Sequence, residues 1–291
     1  MHRTAYLLLL FATLFWAGNA VVAKFAAGHI SPMLLTAGRW FIAIAILAAI
    51  GHRNLARDWP VIRRNLPFLL TLGAIGFTIF NACLYTAVNY TSAVNASILQ
   101  AAIPMGVFLA NFVLFRIRVS AGQIGGFLLT VAGVALIAGQ GDFRRVAELQ
   151  VNTGDALMLI AVAAYAGYTV ALRGVPKIHW QSMMIVLSVG ALALSVVFAG
   201  MEFAAGRAQF PDASGWIAII YAAIFPAIVS QTFYIRGNAL IGGNRAGLFV
   251  NLVPVFGTLL SVALLAERVH AYHVIALALV FGGIWLAEHR R

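Results

Sequence analysis

Two apolar stretches of the sequence carry polar side chains at a spacing of four residues. Asn81 and Tyr85 lie in one stretch, and Ser230 and Tyr234 lie in the other, 149 positions later, with Gln231 beside them. A spacing of four places side chains on one face of a helix. Amide and phenol groups on such a face can bind a polar solute in a water-filled cavity. Hydrogen bonding between neighbouring helices is the alternative, and both interpretations stay open.

Two aromatic residues add a second kind of chemistry. Trp16 and Tyr165 occupy equivalent positions near the middle of long apolar runs, and Asn19 and Tyr168 follow them by one turn or less. Interfacial belts account for most tryptophan and tyrosine in membrane proteins, but these two residues are too central for a belt. Aromatic faces with polar tips would suit a small organic solute. A packed aromatic core is the alternative.

Two basic residues fall within or at the end of apolar runs. Arg39 lies inside one run and Lys24 near the end of another. Charge within a membrane is costly and usually faces the protein interior, so Arg39 is a candidate partner for a substrate carboxylate or for a structural contact. For Lys24 we favour a side chain that reaches the membrane interface.

Two prolines stand in the middle of apolar runs, 150 positions apart. Pro104 and Pro254 cannot donate a backbone hydrogen bond, so the carbonyls of Gln100 and Val250 are predicted to be free. Gln100 and Asn251 lie beside these positions. We predict kinks that place amide groups at the cavity and that bend during gating, although such kinks are often purely structural.

Other kinds of chemistry lack the residues they need. No Asp or Glu falls in the middle of an apolar run, and Cys83 is the single cysteine. No Ser–His or Asp–Asp constellation and no phosphate-binding loop are visible. His270 and His273 have a metal-compatible spacing, but surface titration is the favoured interpretation. We therefore expect no metal, no cofactor and no enzymatic activity.

The composition requires a membrane. Of the 291 residues, 63% are hydrophobic and 9% are charged, with a mean hydropathy of +0.95. A soluble domain carries about 25% charged residues. The net charge of +11 does not indicate nucleic-acid binding, because the basic residues lie in short loops between apolar runs. We expect the lipid bilayer and a small-molecule substrate as partners, and a monomer or weak homodimer.

The predicted architecture is an all-α membrane protein with ten transmembrane helices. About 20 apolar residues cross a bilayer core, and backbone groups in lipid must be satisfied within a helix. The predicted spans are 5–27, 32–51, 66–87, 92–115, 119–139, 154–174, 181–202, 213–236, 244–265 and 270–288. They divide into a first repeat, 1–140, a linker, 141–153, and a second repeat, 154–291.

The two halves resemble each other at an offset of 149 to 150 residues. Phe11–Lys24 aligns with Ile160–Arg173, and Gly133 aligns with Gly283. A repeat with an odd number of spans must place its second copy upside down, which is typical of secondary transporters. With the N-terminus inside, thirteen Lys and Arg residues lie on the inner side and five on the outer side. This bias predicts that both termini are cytoplasmic.

Several motifs together resemble the EamA-type members of the drug/metabolite transporter superfamily. Leu14–Lys24 (LFWAGNAVVAK) is similar to the family's Trp-Gly-(Ser/Asn)…Lys opening, and Arg39-Trp40-Phe41 is similar to its second-helix Arg-Phe. The stretch from Leu252 to Ile284 resembles the end of its repeat. The first half departs from this pattern, because Arg116-Ile117-Arg118 stands where the second half has Ala266-Glu267-Arg268.

The resemblance implies a basket of ten helices with an export path between the halves, in a bacterial inner membrane. Amino-acid exporters of the YddG kind are the nearest subgroup. We predict export of amino acids and related metabolites by alternating access, downhill because no acid lies in mid-membrane. A multidrug or nucleotide-sugar carrier is the alternative in the same class, and a membrane scaffold or intramembrane enzyme is the alternative in another. The predicted substrate-binding residues are Trp16, Asn19, Arg39, Asn81, Tyr85, Gln100, Tyr165, Tyr168, Gln231, Tyr234 and Asn251, and the predicted gating residues are Pro104 and Pro254.

Overall fold

All regular structure in the described residues is helical. The computed structural model of the chain describes residues 2–116, 121–138, 140–142, 152–241 and 249–289. The helices are α1 (His2–Phe25), α2 (Pro32–Ile62), α3 (Leu66–Ala87), α4 (Ala93–Phe115), α5 (Ala121–Ala138), α6 (Thr153–Ala171), α7 (Trp180–Ala204), α8 (Ala213–Ile224, Phe225–Val229 and Ser230–Ile241 in succession), α9 (Val253–Leu265) and α10 (Ala271–His289). Residues 143–151 of the predicted linker, and 244–248 of the predicted ninth span, lie outside the described residues.

The length and composition of these helices fit a multi-pass membrane protein. Seven of them, α1 to α4 and α6 to α8, are long and apolar enough to cross a bilayer. The described parts of α5, α9 and α10 contain shorter apolar helices, Ala121–Ile137, Val253–Leu265 and Ala271–Leu286. The surface is correspondingly apolar: Phe41, Leu114, Leu128, Phe203 and Leu264 are each more than 60% exposed. Acyl chains are the surroundings that suit such side chains.

Helix α2 is longer than its apolar run. The hydropathy pattern ends it at residue 51, but the helix continues to Ile62 and contains 31 residues. A helix of that length spans about 46 Å, whereas a bilayer core is about 30 Å thick. The polar extension is held against α7, because Asn54 Nδ2 donates to Gln181 Oε1 at 2.6 Å and Asp58 accepts from the His179 backbone and Ser182. Hydropathy therefore gave the end of the apolar run and not the end of the helix.

The main contacts between the two halves are symmetric. When each helix is replaced by its counterpart five helices away in the chain, the same set of helix pairs is obtained. Helix α1 packs on α8 and α9, and α6 packs in the same way on α3 and α4. Helix α2 packs on α8, and α7 packs on α3. The pairs α2–α7, α4–α9 and α5–α10 map onto themselves. The two halves therefore use the same faces against each other.

Glycines at matched positions let α5 and α10 approach closely. A Cβ atom on Gly133 would lie 2.9 Å from the carbonyl oxygen of Ala276, and one on Gly283 would overlap the carbonyl oxygen of Gly126. Gly126 and Gly133 are each 150 positions from their counterparts. The contact between α5 and α10 is therefore made twice, once with the glycine of each helix. Small residues at a membrane helix interface permit such a close approach.

Three contacts define one end of the bundle, which we call the outer end. Lys24, at the end of α1, donates to the backbone carbonyls of Val88 and Thr91 at 2.5 and 3.0 Å. Asp155, at the start of α6, accepts from Thr91 Oγ1 at 2.7 Å. The end of α1 and the start of α6 therefore lie at the same end of the bundle. Lys24 binds the carbonyls at the end of α3, and its reach to the membrane interface stays a prediction.

Candidate functional site

Four of the predicted site residues form one buried group, which we call the arginine cluster: Asn19 of α1, Arg39 of α2, and Asn81 and Tyr85 of α3. Arg39 Nη1 donates to Asn19 Oδ1 at 3.3 Å, to Asn81 Oδ1 at 2.5 Å and to the Tyr85 hydroxyl at 2.7 Å. The Tyr85 hydroxyl donates to Asn19 Oδ1 at 2.9 Å, and Asn19 Nδ2 donates to Asn81 Oδ1 at 3.2 Å. The four residues are each less than 8% exposed.

The arginine cluster carries an uncompensated positive charge. Among the described residues, no carboxylate lies within 4.0 Å of the Arg39 guanidinium. Its Nε is buried without a hydrogen-bond partner, and its Nη2 makes no hydrogen bond to a described residue. The Trp40 ring lies 4.7 Å from Arg39 Cζ and supplies a cation–π contact. Arg39 therefore keeps donors that can bind an anionic group, which buried charges normally require.

A widened turn positions Asn81 in the cluster. Residues Ala74–Ile79 of α3 form a π-helical segment directly before it, and such segments often mark functional sites. Asn81 Nδ2 donates to the carbonyl of Phe77 within this segment at 2.7 Å. A π-helical segment, Phe225–Val229, lies at the equivalent place in α8 and contains Pro226. The sequence gives Pro226 no counterpart in α3, but the backbone conformation recurs there without a proline.

Trp16 and Tyr234 form an aromatic pair from opposite halves of the chain. Their ring centroids are 5.3 Å apart, and Trp16 Nε1 donates to the carbonyl of Pro226 at 3.0 Å. That carbonyl lies in the π-helical segment of α8, so the widened turn also fixes the tryptophan. Both rings remain partly exposed, and Tyr234 makes no hydrogen bond to a described residue. The pair therefore presents aromatic surface and one unused hydroxyl.

The two tyrosines of α6 have different surroundings. Tyr165 packs against Phe80 at 5.1 Å between ring centroids and is partly exposed. Tyr168 is 4% exposed, and its ring occupies the space that a Cβ atom on Gly76 would fill. The ring of Tyr168 also lies 5.4 Å from Phe77. Tyr165 thus has free surface, whereas Tyr168 is packed in the core, and a binding role for either stays a prediction.

Each of the two prolines follows a tight turn within its apolar helix, and the turn residues Ala101, Ala102 and Leu252 keep right-handed helical backbone angles. In α4 the turn at residues 101–102 separates Ala93–Gln100 from Ile103–Phe115, so Pro104 stands in the first turn of a new helix. The turn at residues 251–252 does the same before Pro254. Proline suits the first turn, where its missing N–H is not needed. Interrupted helices at matched positions are typical of transporter binding sites.

The amide residues near these interruptions are not linked to the arginine cluster by a hydrogen bond between described residues. Gln100 Nε2 donates to the carbonyl of Ala96 in its own helix at 3.2 Å. Gln231 and Asn251 are partly exposed, and neither makes a hydrogen bond to a described residue. All three keep polar atoms that a solute could use, so their binding role also stays a prediction.

The outer end holds a polar network that the sequence did not reveal. His270 N donates to His273 Nδ1 at 2.9 Å, His273 Nε2 lies 3.0 Å from Asn95 Oδ1, and Asn95 Nδ2 donates to Thr91 Oγ1 at 3.1 Å. Thr91 in turn donates to Asp155, which is 0% exposed. His273 is 2% exposed, so the expectation of a surface histidine is wrong for this residue. The network could not be predicted from the sequence, because its members are far apart in the chain. Thr91 and His273 are 182 positions apart.

A second acid at the outer end, Glu267 of the second half, binds the backbone of the first half. Glu267 accepts from the backbone N–H groups of Ala93 and Val94, both at 2.9 Å, where α4 begins. These are among the unpaired donors of a helix N-terminus, which carries a partial positive charge. Glu267 follows α9, whose last residue leads into Ala266 with a φ of 53°. The glutamate that has no counterpart in the first repeat is thus a clamp on the start of α4.

Removal of this clamp should weaken the outer end. We expect Glu267→Ala to lower the free energy of unfolding by about 1–2 kcal/mol, because two charge-assisted hydrogen bonds to a helix N-terminus are lost. Thermal unfolding of the purified protein measures the effect. Arg268→Ala is the matched control, since Arg268 is the exposed neighbour. Equal unfolding temperatures for the two variants would contradict the clamp.

Comparisons with known proteins agree with this architecture. Residues 3–139 and 152–288 each match the EamA-like transporter family. The uncharacterized transporter YyaM of Bacillus subtilis is 26% identical over 99% of this chain and 94% of its own length. An uncharacterized transporter of Archaeoglobus fulgidus is 25% identical over 100% of this chain and 99% of its own. One solved crystal structure shares the fold, with a TM-score of 0.64, 23% identity and coverage of 99% of this chain and 98% of that one.

Proposed function

The chain belongs to the EamA-like transporter family, and on this premise we propose that it exports amino acids and related small metabolites by alternating access. The observation that carries the proposal is the arginine cluster. A buried guanidinium with unused donors and no acidic partner among the described residues offers a site for a solute carboxylate. A site for a phosphate normally needs several Arg or Lys, so a single cation favours a zwitterion.

We propose that aromatic and amide groups from both halves complete the site with the arginine cluster. Trp16, Tyr165 and Tyr234 would pack against the solute and face its ammonium group, since aromatic faces attract cations. Gln100, Gln231 and Asn251 would supply hydrogen bonds. The partly exposed rings and the unused amides support this arrangement. Asn19, Asn81 and Tyr85 would hold Arg39 in position, and Tyr168 would support Tyr165.

We propose ten transmembrane helices in two inverted repeats as the working unit. The exchange of helix contacts between the halves supports this topology, and so does the meeting of the end of α1 with the start of α6. The interruptions before Pro104 and Pro254 would serve as the bending points as the halves rock around the site. We place both termini in the cytoplasm and the chain in a bacterial inner membrane, as a monomer or weak homodimer.

We propose that the solute moves downhill, because no acid lies in the arginine cluster.

A multidrug or nucleotide-sugar carrier is the second candidate, favoured by the aromatic surface of Trp16 and Tyr234. Competition of labelled amino-acid flux by lipophilic cations separates the two. An intramembrane enzyme or a scaffold would transport no solute in liposomes. If none of the solutes in the panel is transported, the transport proposal is replaced by this alternative.

A counterflow assay with a panel of solutes in proteoliposomes tests the site. We expect Trp16→Ala to lower the initial rate of amino-acid flux about tenfold or more, because it removes the aromatic face and the contact with Pro226. Trp216→Ala is the matched control, since Trp216 is 52% exposed on the outside of α8. Undiminished flux in Trp16→Ala would clear this residue of substrate binding.

A further inference from the structure

Asp155 is a buried acid whose role the proposed transport site does not explain. It lies in the first turn of α6 at the outer end and is 0% exposed. Among the described residues, its Oδ1 accepts one hydrogen bond, from Thr91, and its Oδ2 has no partner. A buried carboxylate normally needs a cation or several donors, and a carboxyl group without them binds a proton instead.

The polar network that leads to Asp155 runs in one direction and supplies no cation. His273 Nδ1 accepts from the backbone N–H of His270, so the ring is neutral and its proton lies on Nε2. Nε2 therefore donates to Asn95, Asn95 donates to Thr91, and Thr91 donates to Asp155. Each hydrogen bond of the network is therefore donated in the direction of the carboxyl group. The histidine cannot balance its charge without losing the bond from His270.

Among the described residues, no other ionisable group hydrogen-bonds to Asp155. Lys24 of α1 donates to two carbonyls at the end of α3, and it makes no ion pair with a described acid. Glu267 binds the start of α4. Tyr272 of α10 lies within electrostatic range of Asp155 but is neutral, and His270 is exposed. Asp142, after α5, is also exposed.

A pocket at the outer end reaches two residues of the network, Thr91 and Asn95. This open pocket of about 370 Å³ is lined by Lys24, Thr91, Asn95, Glu267 and Tyr272, with other polar residues. Its floor therefore includes the two residues that precede Asp155 in the network. A proton on Asp155 can exchange with the outer solution through this pocket when the outer end opens.

We propose that Asp155 is a proton-binding site that holds the outer end closed. In the closed form Asp155 is protonated and links α6 to the α3–α4 connection. Release of the proton to the outer solution leaves a buried negative charge, which favours an open, hydrated outer end. The proton returns from the same side, so the site gates downhill flux and does not drive it. The role of this gate in transport rests on the proposed function. The test of the gate itself requires no transported solute.

The accessibility of a buried reporter tests the gate. On a Cys83→Ala background, Val94→Cys places a thiol at a position that is 0% exposed beneath Glu267. The full chain in nanodiscs is labelled with a membrane-impermeant maleimide at several pH values. Because a thiol ionises with pH, each rate is divided by the rate in the Asp155→Asn protein. We expect the ratio to be near one at low pH and to rise with pH by up to about tenfold per unit, the limit for one released proton.

Asp212→Asn is the matched control. Asp212 is an outer-end acid that caps α8 by accepting from Gly215 N at 2.9 Å, and it is exposed. The Gly215 backbone bond and His29 hold the pKa of this carboxyl below its usual range, so it is already ionised at the pH values of the assay. The control should keep the wild-type dependence on pH. A flat ratio in the wild-type protein, or a ratio that becomes flat with Asp212→Asn, would overturn the proposal.

Infrared difference spectroscopy gives a second readout that does not depend on the reporter. At a pH where exposed carboxyl groups (pKa about 4) are ionised, the wild-type protein should show a protonated carboxyl band. Asp155→Asn should lack it and Asp212→Asn should keep it. If Asp155→Asn fails to fold, the wild-type spectrum still decides, because the absence of the band overturns the gate. Loss of amino-acid flux with an intact band would instead reject the proposed substrate and leave the gate standing.

Discussion

Gly190→Ala should abolish or severely reduce the yield of folded protein. A Cβ atom at this position of α7 would overlap the carbonyl oxygen of Leu70 in α3, and one at Gly73 of α3 would overlap the carbonyl oxygen of Leu187 in α7. The atoms in the way are backbone, so a side chain cannot move aside, and the two helices must separate. Overpacking usually costs about 1–3 kcal/mol, and we expect this backbone overlap to exceed about 3 kcal/mol.

Gly200→Ala on the same helix is the matched control. No heavy atom lies within 4 Å of a Cβ atom at Gly200. Alanine is a better helix former than glycine by about 1 kcal/mol, so the control should be neutral or slightly stabilising. Thermal unfolding and gel filtration of both variants in detergent measure the difference. A Gly190→Ala protein as stable as Gly200→Ala would show that α3 and α7 do not approach so closely.

Arg39→Gln should remove the preference of the transporter for a free carboxylate. In the wild-type protein we expect an amino acid to be carried about 10- to 100-fold better than its amide, in which a neutral carboxamide replaces the carboxylate, since hydrogen bonds to a charged group contribute about 1.5–3 kcal/mol. With Gln at position 39 the amino acid and the amide should be carried at similar rates. Counterflow with each solute, at equal amounts of reconstituted protein, measures the ratio.

The ratio separates recognition from folding. Arg39→Gln also disturbs the contacts to Asn19, Asn81 and Tyr85, so a general loss of rate is expected in addition. General damage lowers both fluxes together and leaves their ratio unchanged. Arg173→Gln is the matched control, because Arg173 is exposed at the far end of α6 beside Phe115. An unchanged preference in Arg39→Gln would exclude a contact between Arg39 and the carboxylate.

The helices were the predictable part of the fold. Apolar runs such as 66–87 predicted α3 at both of its limits, because in lipid the length of a run and the length of a helix are set by the same thickness. Helix α2 exceeded its prediction, since its last eleven residues leave the apolar run and are held by α7. The turns before Pro104 and Pro254 lie at the positions where the sequence predicts kinks.

The candidate site was predictable where polar residues stand alone in apolar surroundings. Asn81 and Tyr85 were identified by their spacing, and the structure brings them to Asn19 and Arg39. No buried contact was predicted for Asp155 or Glu267, because acids near the ends of apolar runs are usually solvated. Their burial depends on which connections meet at the outer end, and nothing in the local sequence encodes that meeting. His273 was misjudged for the same reason.

The widened turns of α3 and α8 bear on the history of the chain. A π-helical turn closes its hydrogen bond over one residue more than an α-helical turn, and such turns are rare. The same irregularity at Ala74–Ile79 and at Phe225–Val229, one copy with a proline and one without, is most simply inherited from one parent segment. The widened turn therefore belongs to the repeated unit and does not depend on the proline of the second copy.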